Sequence, residues 1–187
     1  MLADGRELTD GVAAWWTACH GYNHPHIREA ATAQLATMPH VMFGGMVHEP
    51  ALRLAQRLCA RLPGDLERVF FSDSGSVSVE VAMKMAIQYR LNKGETKRTH
   101  MLAFKGGYHG DTLGTMAVCD PAEGMHHLYG DTPARQVIAP LPQDAASRRE
   151  FPALPERHAH ALAGVLVEPL VPGAGALLFH AAAVPRL

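Results

Sequence analysis

Val69-Phe70-Phe71-Ser72-Asp73-Ser74-Gly75-Ser76-Val77, running on through Glu80-Val81-Ala82-Met83-Lys84-Met85-Ala86, decides the fold class. Its opening triplet is β-branched and aromatic, which predicts a short buried strand. Asp73 to Ser76 supplies turn residues, and the apolar positions over 77–91 predict a long, largely buried helix. Glu80 and Lys84 stand four apart on it, a favourable spacing for an ion pair. The strand–turn–helix plan then recurs. A second strand is predicted over 101–104, running into Gly106-Gly107-Tyr108-His109-Gly110, and a third over 136–139. Beyond a proline-rich polar loop, a helix over 155–162 leads to a fourth strand, Val165-Leu166-Val167, ending at Glu168-Pro169. Short apolar strands alternating with helices predict an α/β layer with a mostly parallel sheet and flanking helices.

Upstream, Asp4-Gly5-Arg6 and Asp10-Gly11 read as turns, the second leading into Val12-Ala13-Ala14-Trp15-Trp16. Pro25 suits the first turn of a helix over 25–37. A second helix over 48–62 carries Leu52, Ala55, Leu58 and Leu62 on one face and Arg53, Arg57 and Arg61 on another, and Pro63-Gly64 ends it. The last residues, after Gly173-Ala174-Gly175, read as the beginning of a helix, so the domain is expected to be incomplete at its C-terminus. Four parallel strands alone would also leave a long unprotected edge.

Composition narrows the function classes. The chain has 187 residues, 48% of them apolar and 19% charged, enough for a packed core and unlike a disordered chain. A net charge of -1 offers no field to gather nucleic acid or acidic lipid. Nothing reads as a signal peptide or a membrane span, so a cytoplasmic protein is expected. Cys19, Cys59 and Cys119 form no paired spacing and read as free thiols.

Three groups fall at strand ends, where open α/β sheets bind ligands. Ser74-Gly75-Ser76 places a glycine and two hydroxyls at a helix start, which suits a phosphate or serves as a plain helix cap. Tyr108 stands between glycines, either poised to stack on a flat ligand or incidental to a glycine-rich turn. Glu168 either reaches a cavity or pairs with a base, since burying it alone is costly. The Gly173-Ala174-Gly175 stretch lacks the third glycine of a dinucleotide fingerprint. The pairs His24/His26, His126/His127 and His158/His160 lack metal-ligand spacing, so no metal site is expected. Trp15 and Trp16 read as core, or as a strand pair with one ring lining a pocket.

These pieces resemble the class III, fold-type-I pyridoxal phosphate (PLP) aminotransferases. The resemblance rests on Asp10-Gly11-Val12-Ala13-Ala14-Trp15-Trp16, His20-Gly21-Tyr22-Asn23-His24-Pro25, His40-Val41-Met42-Phe43-Gly44-Gly45, Asp73-Ser74-Gly75-Ser76-Val77 and Gly107-Tyr108-His109-Gly110-Asp111-Thr112. Val77-Ser78-Val79-Glu80-Val81 and the Trp pair are most similar to its biotin-biosynthesis branch. That branch moves the amino group of S-adenosylmethionine to 8-amino-7-oxononanoate, giving 7,8-diaminononanoate.

The resemblance implies that Gly75 and Ser76 hold the PLP phosphate, that Tyr108 stacks near the ring and contacts substrate, and that Glu168 lies close to the cofactor. It implies that Trp15 lines the 8-amino-7-oxononanoate pocket and that the enzyme is a homodimer. It divides the chain into an N-terminal segment, 1–36, and the first part of the PLP-binding large domain, 37–187. Lys84, Lys93, Lys97 and Lys105 do not match the family's Schiff-base lysine motif. Members of the family are more than twice as long, with that lysine and the pyridine-binding aspartate further on. The chain is therefore expected to be an N-terminal portion, inactive alone. The alternatives are a portion of another class III ω-amino acid aminotransferase, or a truncated, non-catalytic binding module.

Overall fold

A computed structural model describes residues 1–122, 127–129, 134, 136–142, 145–171 and 178–179. Contacts divide the chain into two compact units, Met1–Val69 and Phe70–Leu187.

In the first unit, helix α1 spans Pro25–Thr37 and opens on its proline, as expected. Helix α2 spans Glu49–Cys59, where His48 caps the start by accepting the Ala51 N–H at 3.2 Å. Arg53 pairs with Glu49 one turn earlier. Ala51 is the one buried residue of this unit, and the Leu52 and Leu58 stripe of α2 is exposed. The Trp pair departs from its expectation. Residues 13–16 lie in the left-handed region, with φ of 49°, 46°, 57° and 74°, in a turn rather than a strand. Asp10 closes the turn by accepting the N–H groups of Val12 (3.0 Å) and Ala14 (2.5 Å) and the Tyr22 hydroxyl. Because that backbone turns outward, Trp15 is 81% exposed and neither indole is core.

The second unit is the expected parallel α/β layer. Helix α3 spans Gly75–Asn92, β1 His100–Phe104, α4 Leu113–Met116 and β2 Val137–Ala139. Two short helices, α5 (Ala145–Glu150) and α6 (Ala153–His158), precede β3 (Leu162–Val165). The strand order is β2-β1-β3, both neighbours parallel to β1. Leu102 pairs with Val137 on one side and Val165 on the other. A separate antiparallel pair joins β4 (Leu170–Val171) and β5 (Leu178–Phe179).

The alternation of β1 sorts the core into two layers. Met101 and Ala103 face α3, packing with Met83, Val118 and Ala163. Leu102 and Phe104 face the other way, against Ala139, Leu162 and the partly buried Phe151 and Leu154. A sheet covered on both faces explains why β1 is apolar from Met101 to Phe104 without a polar alternate.

Four local expectations are corrected. Residues 69–71 form no regular element and join neither sheet, and Phe70 is 66% exposed. Propensity favours extension there, but a strand also needs a neighbour to complete its ladder. The fourth strand begins three residues earlier than expected, at Leu162, because β1 pairs with it from His100 onward. The preceding helix accordingly ends at His158. Helix α3 is present, but Met83 is its one buried residue, since a single face meets the sheet. Leu178 and Phe179, near the start of the expected final helix, pair in β5 instead, and the Gly173-Ala174-Gly175 stretch and residues 180–187 lie outside the described residues.

Candidate active site

Strands β1 and β3 run side by side in the same direction, so the chain beyond Phe104 and beyond Val165 emerges at one edge of the sheet. That edge carries Tyr108 and Glu168. The α3 N-terminus reaches the same loop through Ser76, so three of the sequence-predicted groups converge there.

At the α3 start, Ser74 is extended and its hydroxyl accepts the Val77 N–H at 3.2 Å. Ser78 N–H donates to the Ser74 carbonyl at 2.9 Å. The first two helical N–H groups, those of Gly75 and Ser76, have no acceptor among the described residues. They lie at the positive end of an 18-residue helix. The plain-cap reading of this turn therefore accounts for Val77 alone and leaves two donors for an anion.

The loop after β1 is pinned at almost every amide. Gly106 N–H donates to Asp120 Oδ2 (2.7 Å), Gly107 N–H to the Phe104 carbonyl (3.1 Å) and Tyr108 N–H to Glu168 Oε1 (2.6 Å). His109 N–H donates to Cys119 Sγ (3.2 Å) and Asp111 N–H to Ser76 Oγ (3.0 Å). Asp120 is buried yet satisfied by main-chain donors, its other oxygen taking the Ala122 N–H at 2.8 Å. The Glu168 carboxylate, the strand-end acid of the sequence, takes up the Tyr108 N–H on one of its oxygens. Asp120 escaped sequence reasoning because it belongs to no recognisable local pattern, and Cys119 was legible there as a free thiol and not as an acceptor for this loop.

Electrostatics follow from these contacts. Tyr108 donates its hydroxyl to Asp111 Oδ2 at 2.7 Å, and that bond together with partial burial raises the phenol to about 12. It stays protonated at neutral pH. Burial lowers His109 to about 4, so its imidazole is neutral there. Burial also pushes the Cys119 thiol up. Lys84, Lys93, Lys97 and Lys105 are all exposed. Among the described residues no cluster of His, Cys, Asp or Glu could hold a metal ion, and no helix is long and apolar enough to cross a membrane.

A family description for class-III aminotransferases matches residues 1–185. The chain belongs to the class-III aminotransferase family. It is 50% identical over 185 residues to the adenosylmethionine-8-amino-7-oxononanoate aminotransferase of Mycobacterium leprae, covering 96% of this chain and 42% of that protein. Its fold is similar to the crystal structure of the same-named enzyme from Methanocaldococcus jannaschii (TM-score 0.77, 30% identity), covering 88% of this chain and 37% of that one. It is similar too to a PLP-bound amine transaminase from an uncultivated Pseudomonas species, with a TM-score of 0.77 and 28% identity. That match covers 98% of this chain and 45% of the other. The chain thus spans about two fifths of the length of the relatives it matches.

Within this class-III aminotransferase chain, Ser76, Tyr108 and Glu168 meet at the loop after β1 in the second unit, and Gly75 precedes Ser76 at the α3 start. Trp15 belongs to the first unit, where its indole is exposed.

Proposed function

We propose that the protein containing this chain is the PLP-dependent aminotransferase that transfers the amino group of S-adenosylmethionine to 8-amino-7-oxononanoate, giving 7,8-diaminononanoate in biotin biosynthesis. The carrying observation is the 50% identity over 96% of the chain to a relative bearing that activity in its name. The residues fit the cofactor: two open N–H groups at a helix start suit its phosphate, and a tyrosine on a pinned loop suits its ring. When bound, PLP supplies the electron sink that lets an amino group be exchanged.

Each residue has a defined part. Gly75 and Ser76 hold the phosphate by their N–H groups, and the Ser74 and Ser76 hydroxyls keep a proton to donate. Tyr108 orients the ring and touches substrate. Glu168 lies close to the cofactor and holds the Tyr108 amide, which fixes where that ring stands. Trp15 lines the 8-amino-7-oxononanoate pocket. Residues 37–187 form the first part of the large domain, and the enzyme is a cytoplasmic homodimer.

The test uses the full-length protein, titrated with PLP and assayed with S-adenosylmethionine as donor. Tight PLP binding and 7,8-diaminononanoate formation are expected. Turnover with an ω-amino acid but not with S-adenosylmethionine would make it a different class-III enzyme. Reversible PLP binding without turnover would make it a binding module. Borohydride reduction and peptide mapping are expected to place the cofactor-bearing lysine outside residues 1–187, and modification of Lys84, Lys93, Lys97 or Lys105 would refute that.

A further inference from the structure

Glu80 lies one turn beyond Ser76 on α3, and its spacing to Lys84 is favourable for an ion pair. The structure turns it the other way. Glu80 is half-buried, accepts the Thr112 hydroxyl on Oε2, and makes no ion pair with Lys84. Thr112 occupies the cap position of α4, yet its side chain makes no capping hydrogen bond there. A hydroxyl that leaves the helix cap unmade and reaches a carboxylate 32 residues away marks a tertiary latch.

The surroundings are shaped to that latch. A Cβ on Gly114 would lie 2.8 Å from the Glu80 carboxylate, and a Cβ on Gly110 would lie 2.4 Å from Ser76 Oγ. The two glycines are four apart, matching Ser76 and Glu80 four apart on α3, so one helix face seats against the loop at two points. Thr115, fully buried, backs the Thr112 hydroxyl at 3.0 Å.

We infer that Glu80 is a positioning residue. Through Thr112 it holds the loop carrying Tyr108 in register with the α3 N-terminus, so that phosphate and ring are gripped as one unit. This rests on the reading of the site as a PLP site. Phosphate alone needs just the Gly75 and Ser76 donors; phosphate and ring together need helix and loop at a fixed offset.

The experiment strips the full-length protein of cofactor and titrates it separately with PLP and with inorganic phosphate. Glu80→Ala and Thr112→Val are each expected to weaken PLP about tenfold, the loss of one charge-assisted hydrogen bond, while inorganic phosphate changes by less than about twofold. The double variant is expected to be no weaker than either single one. Thr112→Ser, which keeps the hydroxyl, is expected to restore PLP affinity. Equal loss of both ligands, unchanged PLP affinity, or additive single effects would overturn the inference. If Glu80→Ala fails to fold, the Thr112→Val and Thr112→Ser pair decides it with Glu80 in place. An unsubstituted protein that binds no PLP would instead bring down the site reading, and this inference with it.

Discussion

His109 illustrates how much one side chain contributes to the acid behaviour of this protein. Its folded pKa of about 4 lies below the ordinary 6.5 because burial disfavours the imidazolium. The unfolded chain therefore takes up a proton that the folded one refuses, and stability falls as pH drops from 6.5 towards 4. Allowing for partial exposure, the loss is on the order of 2 kcal/mol. Asp10 is held below its ordinary range first by the Tyr22 hydroxyl and Glu95 first by Arg98, so their contributions are lost only below about 3.8 and 4.5. Urea midpoints compared at pH 7 and pH 5 therefore isolate the histidine, and His109→Phe is expected to flatten that difference. An unchanged slope in the variant would refute the assignment. At the same scale, Tyr108→Phe removes one solvent-exposed hydroxyl bond from a half-buried ring, so stability should fall by less than about 1 kcal/mol. An activity loss in that variant would then report on substrate or cofactor contact.

Among the elements, β1 and the loop behind it carry the consequences. Leu102 has no exposed surface and sits between both neighbouring strands. Leu102→Ala is expected to cost about 3 kcal/mol by leaving a cavity, read as a lower denaturant midpoint. Gly110 combines φ of +132° with a Cβ position 2.8 Å from the Ser76 Cα. Gly110→Ala is expected to cost more than about 2 kcal/mol, since the obstacle is partly backbone and the φ is strained. A near-neutral result would show that the loop does not seat on α3 as described. Legibility differed between these elements. Helix α1 matches its sequence boundaries because Pro25 fixes a local start. The 69–71 strand and the start of β3 were misplaced because ladder pairing is decided by a neighbour distant in the chain.

For the molecule as a whole, the two units differ in what they bury. Among residues 1–69 Ala51 alone is buried, whereas β1 is buried from Met101 to Phe104. Amide hydrogen exchange on this chain is expected to be slowest across residues 101–104 and fast over most of residues 1–69. Comparable protection in the two regions would refute it.

The sequence by itself determined the class of the fold, the candidate phosphate turn and the family, because alternating apolar runs and short motifs are local properties. It placed Gly75, Ser76, Tyr108 and Glu168 at element ends by the same reasoning. The tertiary structure alone decided which acceptor each amide of the Tyr108 loop finds, and it turned Glu80 from Lys84 to Thr112. Apart from the Gly107 N–H, which bonds Phe104 three residues back, those partners lie between 10 and 60 residues apart, and periodicity says which face a side chain takes but not what meets it there.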